Sequence, residues 1–347
     1  MNSEVVIGAV DDGQVLGIDV GRLIETRMLV QSNSGGGKSH TIRKLLEETH
    51  GVVQQIVIDP EGEFGTLREK YDYVLVGEGG DLPASIRTAE LLARRLLELG
   101  SSAIINLYEL QKHERIIFVK RFLDSLINAP KTLWHPVIVV LDEADVFCPE
   151  HGKADSRASV IDPCARGRKR GQCAVLATQR IPKLAKDATA ECNNKLIGRA
   201  VQDIDRKRAA EEIGFTTKDD VLSLRDLKTG QFYAFGPAFA HAGVKLSTIG
   251  GVKTSHPKIG TKGIGTAPAP TSKVQSVLAK LADLPKDAEQ EALTVNDLRA
   301  KVRELKTALT KAQRAVPVTK GVSDAALESA KKHAFKAGMV EGFNTAW

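Results

Sequence analysis

The sequence predicts an α/β fold, with a parallel-core sheet flanked by helices and a C-terminal helical tail. Short apolar runs alternate with helical patterns over residues 26–250, a Gly-, Pro- and Thr-rich linker covers 251–272, and helical periodicity returns over 273–347. Alternating strands and helices imply crossover connections, which place helices on both faces of a parallel sheet. The chain of 347 residues, 42% of them apolar and 27% charged, can bury a sizeable core, which excludes wholesale disorder.

Each element follows from a local pattern of apolar residues. Residues 5–24 hold short apolar pieces spaced by Gly8, Gly13 and Gly17, and they predict an N-terminal β segment of two or three strands over residues 1–25. The runs predicted as further strands are 28–30, 55–58, 73–76, 103–107, 137–141 and 173–177. The stretches predicted as helices are 41–49, 88–97, 113–127 and 156–168.

The tail predicts helices that pack on something else. Residues 274–284 predict a short amphipathic helix, and 323–337 predict another with Ser323 as its N-cap. Between them, apolar residues step by four and three along a helix of about three heptads. They are Leu298, Val302, Leu305, Leu309 and Ala312. This seam predicts either self-association or a lone helix docked on the body.

The basic excess of the chain also lies in the tail. Residues 254–347 carry 15 Lys+Arg and 9 Asp+Glu, which leaves 34 of each in residues 1–253, so the formal net charge of +6 belongs to the tail. The neutral body does not by itself indicate nucleic-acid binding, because a phosphate backbone needs only a local basic surface.

The sequence excludes several classes of protein. Its longest aliphatic run, 137–141, is far shorter than the roughly 20 residues that cross a bilayer, and its N-terminus lacks a secretory signal pattern. We therefore expect a cytoplasmic protein without a membrane partner. The cysteines lack the spacing of a zinc ribbon or a disulfide framework, so they predict buried, reduced thiols. They are Cys148, Cys164, Cys173 and Cys192.

A strand, a glycine-rich loop and a helix follow one another over residues 27–40, RMLVQSNSGGGKSH. Glycines let backbone N–H groups curl around phosphate oxygens at a helix N-terminus, Lys38 is expected to reach the β- and γ-phosphates, and Ser39 is expected to bind Mg²⁺. The pattern G-x-x-x-x-G-K-[ST] is met except at its first glycine, where Ser32 stands. A glycine-rich turn without a ligand is the alternative. The nucleotide-binding residues predicted here are Ser34, Gly35, Gly36, Gly37, Lys38, Ser39 and His40.

Two acids and a glutamine stand at the ends of later strands. The strand 137–141 delivers Asp142 and Glu143 to the carboxyl edge of the sheet, where parallel α/β folds bind ligands. There Asp142 is suited to hold Mg²⁺ through water, and Glu143 is suited to polarise the attacking water as general base. The strand 173–177 leads to Gln179, which is suited to sense the γ-phosphate or orient water. The alternatives are a solvated turn for the acids and a strand cap for the glutamine.

These motifs resemble the HerA branch of the HerA/FtsK group of P-loop ATPases. Five stretches carry the likeness in order: SNSGGGKS (32–39), VIDPEGEF (57–64), VVLDEAD (139–145), ARGRKRGQCAVLATQR (165–180) and NNKLIGRA (193–200). The resemblance implies a RecA-like fold, hexameric rings, ATP hydrolysis at subunit interfaces, and DNA moved through the ring. It matches Lys38 and Ser39 to the Walker A pair, Asp142 and Glu143 to the Walker B pair, and Gln179 to the sensor.

The same resemblance assigns roles to further charged residues. Asp59 and Glu63 match an acidic motif beside the nucleotide, and a strand-end turn of solvated acids is the alternative. An arginine from the neighbouring subunit is expected to stabilise charge on the γ-phosphate. Arg199 is the preferred candidate and Arg168 is the other, although a surface or DNA-facing role fits either. The basic run at 166–170 predicts a DNA-facing cluster or a solvated helix end.

The chain departs from the family before the phosphate loop. The stretch before the phosphate loop is too short for the N-terminal β-barrel of HerA proteins, so we expect residues 5–24 to be a remnant of that barrel. That departure puts barrel-mediated ring assembly in doubt, and we expect the heptad tail to replace it.

Three functions are compatible with these observations. The favoured one is an ATP- and Mg²⁺-dependent ring motor on double-stranded DNA, without sequence specificity, that works with a nuclease or other effector. The alternative is a nucleotide-gated oligomeric scaffold for a defence or phage-related effector, without DNA pumping. A conjugation or packaging motor is less favoured because such motors bring membrane segments or larger accessory domains. The sequence does not separate ATP from GTP.

Overall fold

One mixed sheet organises the described part of the chain, which is residues 4–257, 268–315, 328–329 and 331–333 of a computed structural model. Its eleven strands are β1 (Glu4–Val10), β2 (Val15–Asp19), β3 (Met28–Gln31), β4 (Gln54–Asp59), β5 (Val74–Val76), β6 (Ala103–Asn106), β7 (Val137–Leu141), β8 (Gln172–Thr178), β9 (Asn194–Ile197), β10 (Gln231–Phe235) and β11 (Lys245–Ile249). Their order across the sheet is β2-β1-β11-β10-β9-β3-β8-β7-β4-β6-β5. The stretch from β9 to β5 is parallel, and the four strands from β2 to β10 extend it in antiparallel fashion.

Helices make most connections between the parallel strands, as crossover topology requires. The α-helices are α1 (Val20–Thr26), α2 (Lys38–Thr49), α3 (Ala89–Leu99), α4 (Lys112–Ile127), α5 (Ala144–Phe147), α6 (Arg157–Arg166), α7 (Lys186–Ala190), α8 (Asp203–Ile213), α9 (Lys218–Asp226), α10 (Ser272–Leu281) and α11 (Leu284–Ala315). The strands and helices predicted between residues 28 and 177 are all present, with small shifts at their ends. The predicted fold class is confirmed.

The central strands are buried on both faces. In β7, Val137 and Val139 join the core on one face with Phe118 of α4, while Ile138 joins the core on the other face with Leu46 of α2. Strands covered on both sides become continuous aliphatic runs instead of alternating patterns. This burial explains why the aliphatic run 137–141 was recognisable as a strand from sequence alone.

The N-terminal segment holds two strands, within the predicted two or three, but its last residues are helical. Strands β1 and β2 form a hairpin that continues the main sheet, because β1 pairs with β11. Residues Val20–Thr26 form helix α1 and not a further strand. The Asp19 carboxylate accepts a hydrogen bond from Arg22 N at 3.0 Å, which satisfies a free N–H group at the start of the helix.

The chain divides into two compact units, with the boundary between Glu289 and Gln290. The first unit includes α10 and the start of α11, because Val274, Leu281 and Leu284 are buried in its core. The sequence assigned these residues to a tail beginning at 273. The division of the chain into four segments stays a prediction.

The second unit contains the predicted heptad seam. Within the described residues, Val302, Leu305 and Leu309 of α11 are exposed, with relative accessibilities of 49%, 62% and 59%. The helix predicted over 323–337 lies outside the described residues apart from short helical pieces.

The described residues include all the cysteines and most of the helical segments that the sequence predicts. None of the helices described is long and apolar enough to cross a bilayer. All four cysteines are buried and unpaired, as predicted. Burial raises the pKa of Cys148 to about 12, so its thiol stays protonated at neutral pH.

Candidate nucleotide-binding site

The glycine-rich loop joins the carboxyl end of β3 to the amino end of α2. Gly35 and Gly37 have φ angles of 72° and 103°, a region that favours glycine. A Cβ atom on Gly36 would lie 2.0 Å from Ser32 Oγ, so a larger residue does not fit there. The first N–H groups of α2 have no partner within the helix, and they are available to phosphate oxygens.

A second segment supports this loop from a distant part of the sequence. Thr229 Oγ1 donates to Gly35 O at 2.9 Å, and Gly230 N donates to Gly36 O at 3.0 Å. A Cβ atom on Gly37 would lie 3.0 Å from Gly230 N. The turn before β10 therefore fixes the path of the loop, and the sequence analysis did not identify it.

The side chain of Lys38 is buried between two carboxylates. Its Nζ atom forms ion pairs with Asp142 Oδ1 and, at 3.0 Å, with Glu143 Oε1. Burial alone lowers the pKa of Lys38, but the two negative charges outweigh that effect and raise it overall. Lys38 therefore stays a cation at neutral pH. Its partner Asp142 lies 104 residues further along the chain, and the pairing of β3 with β8 and of β8 with β7 brings the two together.

Asp142 follows β7 and has a relative accessibility of 1%. Burial raises its pKa, Lys38 lowers it, and the neighbouring Glu143 and Asp59 raise it further. Its second oxygen, Oδ2, is buried and has no hydrogen-bond partner among the described residues. A carboxylate oxygen without a partner suits a hard cation that prefers oxygen ligands, so Asp142 fits the predicted Mg²⁺.

Glu143 adopts an unusual backbone conformation for a residue with a side chain, with φ 45° and ψ 47°. Such conformations cost on the order of 1–3 kcal/mol and concentrate at functional sites. Gln179 Nε2 donates a hydrogen bond to Glu143 Oε1 at 2.7 Å. The structure thus brings together the predicted base and the predicted sensor, on adjacent strands β7 and β8.

The acidic motif at 59–63 has a different arrangement from the solvated turn that was the alternative. Asp59 is fully buried, and its carboxylate accepts hydrogen bonds from the N–H groups of Gly62, Glu63 and Phe64 at 2.8 to 3.1 Å. Burial raises its pKa to about 6 although these N–H groups lower it. The carboxylate of Asp59 therefore stabilises the turn that follows β4. The carbonyl of Glu63 accepts a hydrogen bond from Arg43 Nη2 at 2.6 Å.

His40 and Ser34 flank the loop with different contacts. The His40 ring lies against the segment after β11, with Nδ1 3.1 Å from His256 Nε2 and Nε2 2.9 Å from Gly250 O. Its backbone N–H, in the first turn of α2, is the group left for a phosphate. Ser34 is exposed at the tip of the loop.

The two candidate arginines lie at opposite edges of the sheet. Arg199 follows β9, which pairs with β3, and its Nη2 atom is 3.5 Å from Ser34 O of the same chain. Arg168 precedes β8, at the amino edge, where it pairs with Glu25 at 3.3 Å. A strand of seven residues such as β8 spans roughly 23 Å. Arg168 is therefore remote from the phosphate loop of its own chain.

Half of the cations in the basic run at 166–170 are ion-paired within the chain. Arg166 pairs with Asp162, Arg168 pairs with Glu25, and Arg170 stacks over Trp134 at 5.3 Å. All these contacts lie at the amino edge of β8, away from the phosphate loop.

Two further polar contacts near the end of β8 were not predicted from the sequence. Thr178 Oγ1 donates to Asp145 Oδ1 at 2.7 Å, which ties helix α5 to the end of β8. Arg180 forms an ion pair with the buried Asp205 at 3.2 Å. Asp145 stands two residues after Glu143, so its presence in the motif was a signal, but its partner depends on the pairing of β7 with β8.

Comparison with known proteins agrees with these motifs. Residues 5–114 match the family model described as the central domain of helicase HerA. The chain is 26% identical over 235 residues to the probable DNA double-strand break repair helicase HerA of Methanocaldococcus jannaschii, covering 60% of this chain and 45% of the relative. It is 31% identical over 96 residues to the DNA double-strand break repair helicase HerA of Pyrococcus furiosus, covering 26% and 17%. The matches thus span less than half the length of these relatives.

A solved structure shares the fold. The structure of VirB4 of Thermoanaerobacter pseudethanolicus superposes with a TM-score of 0.55 and 14% identity, covering 73% of this chain and 97% of that chain. The motifs in order, the geometry of Lys38 with its two acids, and the matched central domain agree with one another. Residues 5–114 match the central domain of helicase HerA, and the chain is similar to HerA helicases over 60% of its length.

Proposed function

We propose that this chain is the subunit of an ATP-hydrolysing ring motor that translocates double-stranded DNA without reading its sequence. The observation that carries the proposal is the convergence of Lys38, Asp142, Glu143 and Gln179 at the carboxyl edge of three adjacent strands. A buried cation that faces two acids suits a phosphate-transfer site, where positioned charges do most of the work. The relatives named as double-strand break repair helicases support DNA as the substrate.

Each residue has a proposed task. Lys38 exchanges its carboxylate partners for the β- and γ-phosphates when nucleotide binds, and the N–H groups of the loop hold the remaining phosphate oxygens. Ser39 and Asp142 hold Mg²⁺, which when bound neutralises charge on the phosphates. Glu143 takes a proton from the attacking water, and Gln179 orients the Glu143 carboxylate through their hydrogen bond.

The two arginines have separate proposed tasks. Arg199, beside Ser34 of its own loop, is proposed to contact the nucleotide of its own subunit. Arg168 is exposed at the opposite edge, so we propose it as the arginine supplied to a neighbouring subunit. This choice reverses the preference drawn from the motif order. It is supported by the distance along β8, and it requires an oligomer, for which we propose the hexameric ring.

The experiment that tests the function is steady-state ATP hydrolysis with and without double-stranded DNA, on protein whose oligomeric mass is measured in the same buffer. A motor predicts hydrolysis that DNA stimulates and that added salt suppresses, because phosphate contacts are lost as salt rises. Slow hydrolysis by a defined oligomer, indifferent to DNA, would favour the nucleotide-gated scaffold. A nuclease or other effector partner is part of the proposal, and adding candidate effectors to the assay tests it separately.

A further inference from the structure

A cavity of about 540 Å³ opens at the carboxyl end of the sheet, next to helix α5. Its walls come from the start of α4, from α5, from the loop 149–154, and from the turn after β8. Three exposed lysines line it: Lys112, Lys153 and Lys183. These residues come from three separate segments, and none of them belongs to the motifs of the nucleotide site.

Lysines outnumber acids in the lining of the cavity, three to one. The structure gives none of the three lysines an ion pair with any residue it describes. Lys112 is also the first residue of the 16-residue helix α4, whose N-terminus adds a partial positive charge. Asp145 in the wall interacts with Lys183, and Glu114 completes the cap of α4. Glu150 and Asp155 lie in or next to the loop 149–154 but are not among the residues that line the cavity. Positive charges concentrated in this way favour an anionic ligand.

The lining determines what kind of anion fits. Lysines act as strongly hydrated point charges that attract phosphate without fixing its orientation, unlike the planar fork of arginine. The other lining residues include Pro149, Gly152 and His151, with no arginine among them and no aromatic ring other than the imidazole of His151. A set of exposed point charges without base-reading groups suits a phosphate backbone held without sequence preference.

The cavity is also joined to the hydrolysis site. Helix α5 begins directly after Glu143, and the loop 149–154 continues from α5. Asp145, in the cavity wall, accepts the 2.7 Å hydrogen bond from Thr178, and the next residue, Gln179, is bonded to Glu143. A ligand that draws the lysines and the loop together would therefore act on the elements that carry Glu143 and Gln179.

We propose that this lysine cavity binds the phosphate backbone of double-stranded DNA. Through the Asp145–Thr178 contact, DNA binding in the cavity changes the positions of Glu143 and Gln179. The proposal rests on the proposed function, since it assigns the DNA contact of that motor. It also gives DNA a place at the carboxyl edge, away from the basic run at the amino edge, where Arg166 and Arg168 are ion-paired.

The first experiment compares three full-length proteins: the parent chain, the triple variant Lys112→Ala, Lys153→Ala, Lys183→Ala, and the control Lys169→Ala, which removes one exposed lysine at the amino edge. Binding to a fluorescent DNA duplex is measured across a salt series, and ATP hydrolysis is measured with and without the duplex. We expect the triple variant to keep its basal hydrolysis and to lose DNA stimulation. The slope of log K against log salt falls by about 2 to 3, because each lost phosphate contact contributes about 0.9.

Several outcomes would overturn the proposal, and they separate it from the function itself. A parent chain that binds and responds to the duplex, with a triple variant that keeps the parent salt slope, overturns the cavity and leaves the motor intact. A parent chain that neither binds the duplex nor is stimulated overturns both. Stimulation of the parent by inorganic polyphosphate but not by the duplex shows that the cavity takes a free polyanion, which overturns DNA as its ligand.

A second experiment tests the connection through Thr178, which acts as a positioning residue. Thr178→Val removes the hydrogen bond to Asp145, and we expect DNA affinity to stay within about twofold of the parent while the stimulation of hydrolysis by DNA is lost. Thr178→Ser keeps the hydroxyl, and we expect it to restore stimulation. Equal losses of DNA affinity and of stimulation in Thr178→Val, or failure of the serine variant to rescue, would refute the connection.

Discussion

The charged groups at the two ends of strands β7 and β8 differ in burial and in pairing. At the carboxyl end, Lys38, Asp142 and Glu143 are buried against one another, and one oxygen of Asp142 has no partner among the described residues. At the amino end, Arg168 and Glu25 form a pair in which both side chains are more than half exposed. Buried charges that stay incompletely paired are costly, whereas exposed pairs contribute little. The comparison indicates that the carboxyl end is suited to chemistry and that the amino end presents exposed charged groups.

Lys38→Ala is expected to weaken nucleotide binding at the carboxyl end. The substitution removes the cation that faces the phosphates, and it leaves two buried carboxylates that repel the nucleotide. We expect the affinity for ATP to fall by about 10- to 100-fold, since a charged hydrogen bond of this kind is worth about 1.5 to 3 kcal/mol. Titration calorimetry with an ATP analogue measures it, with Lys169→Ala as the control. Parent-like affinity in Lys38→Ala would mean that phosphates bind elsewhere.

Arg168→Ala is expected to reduce turnover by about 10³-fold or more without affecting ATP affinity, because an arginine supplied by a neighbour acts on the transition state. Mixed rings distinguish the two arginines. Rings that combine Arg168→Ala subunits with Lys38→Ala subunits contain interfaces with an intact loop and an intact Arg168, so part of the activity returns. Rings that combine Arg199→Ala with Lys38→Ala subunits are expected to stay inactive, because Arg199 serves its own loop. The opposite pattern would assign the neighbour's arginine to Arg199.

Glu143→Gln is expected to keep nucleotide binding and to lower hydrolysis by about 10²- to 10⁴-fold, the usual contribution of a general base. The amide cannot accept the proton of the attacking water, while the ion pair of Lys38 with Asp142 is preserved. Single-turnover hydrolysis together with ATP affinity measures the two effects separately. Hydrolysis at the parent rate would show that another group polarises the water.

Deletion of residues 290–347 tests the heptad seam. The compact unit boundary falls between Glu289 and Gln290, so the first unit keeps its core in the truncated chain. If the exposed seam at Val302, Leu305 and Leu309 holds the ring together, we expect the truncated protein to have a lower oligomeric mass by light scattering. A truncated protein that is still hexameric would refute this role for the seam.

Sequence patterns predicted the parts of the molecule that depend on local order. The buried strands were visible because burial on both faces produces aliphatic runs, as in Val137–Leu141. The grouping of Lys38 with Asp142 and Glu143 followed from the rule that parallel strands bring their carboxyl ends to one edge.

Contacts between distant segments could not be predicted from the sequence. The support of Gly35 by Thr229 depends on the path of the chain from β9 to β10, which no local pattern encodes. The lysines of the cavity come from three separate segments, so no run of charged residues in the sequence indicated it. For Arg168 the signal was present but unused, because a residue that precedes a parallel strand must lie at the edge opposite to the phosphate loop.

The smallest expected effect is that of Glu25→Gln at the amino end. Because both partners are exposed, the pair with Arg168 stabilises the fold by under about 1 kcal/mol, and we expect urea unfolding of the variant to be nearly unchanged. The substitution also frees Arg168 from its partner within the chain. If Arg168 acts on a neighbouring subunit, ATP turnover of the assembled protein should stay equal or rise slightly. A fall in turnover with unchanged stability would mean that Glu25 orients Arg168 for its task, and the amino end would then be an organised part of the catalytic site.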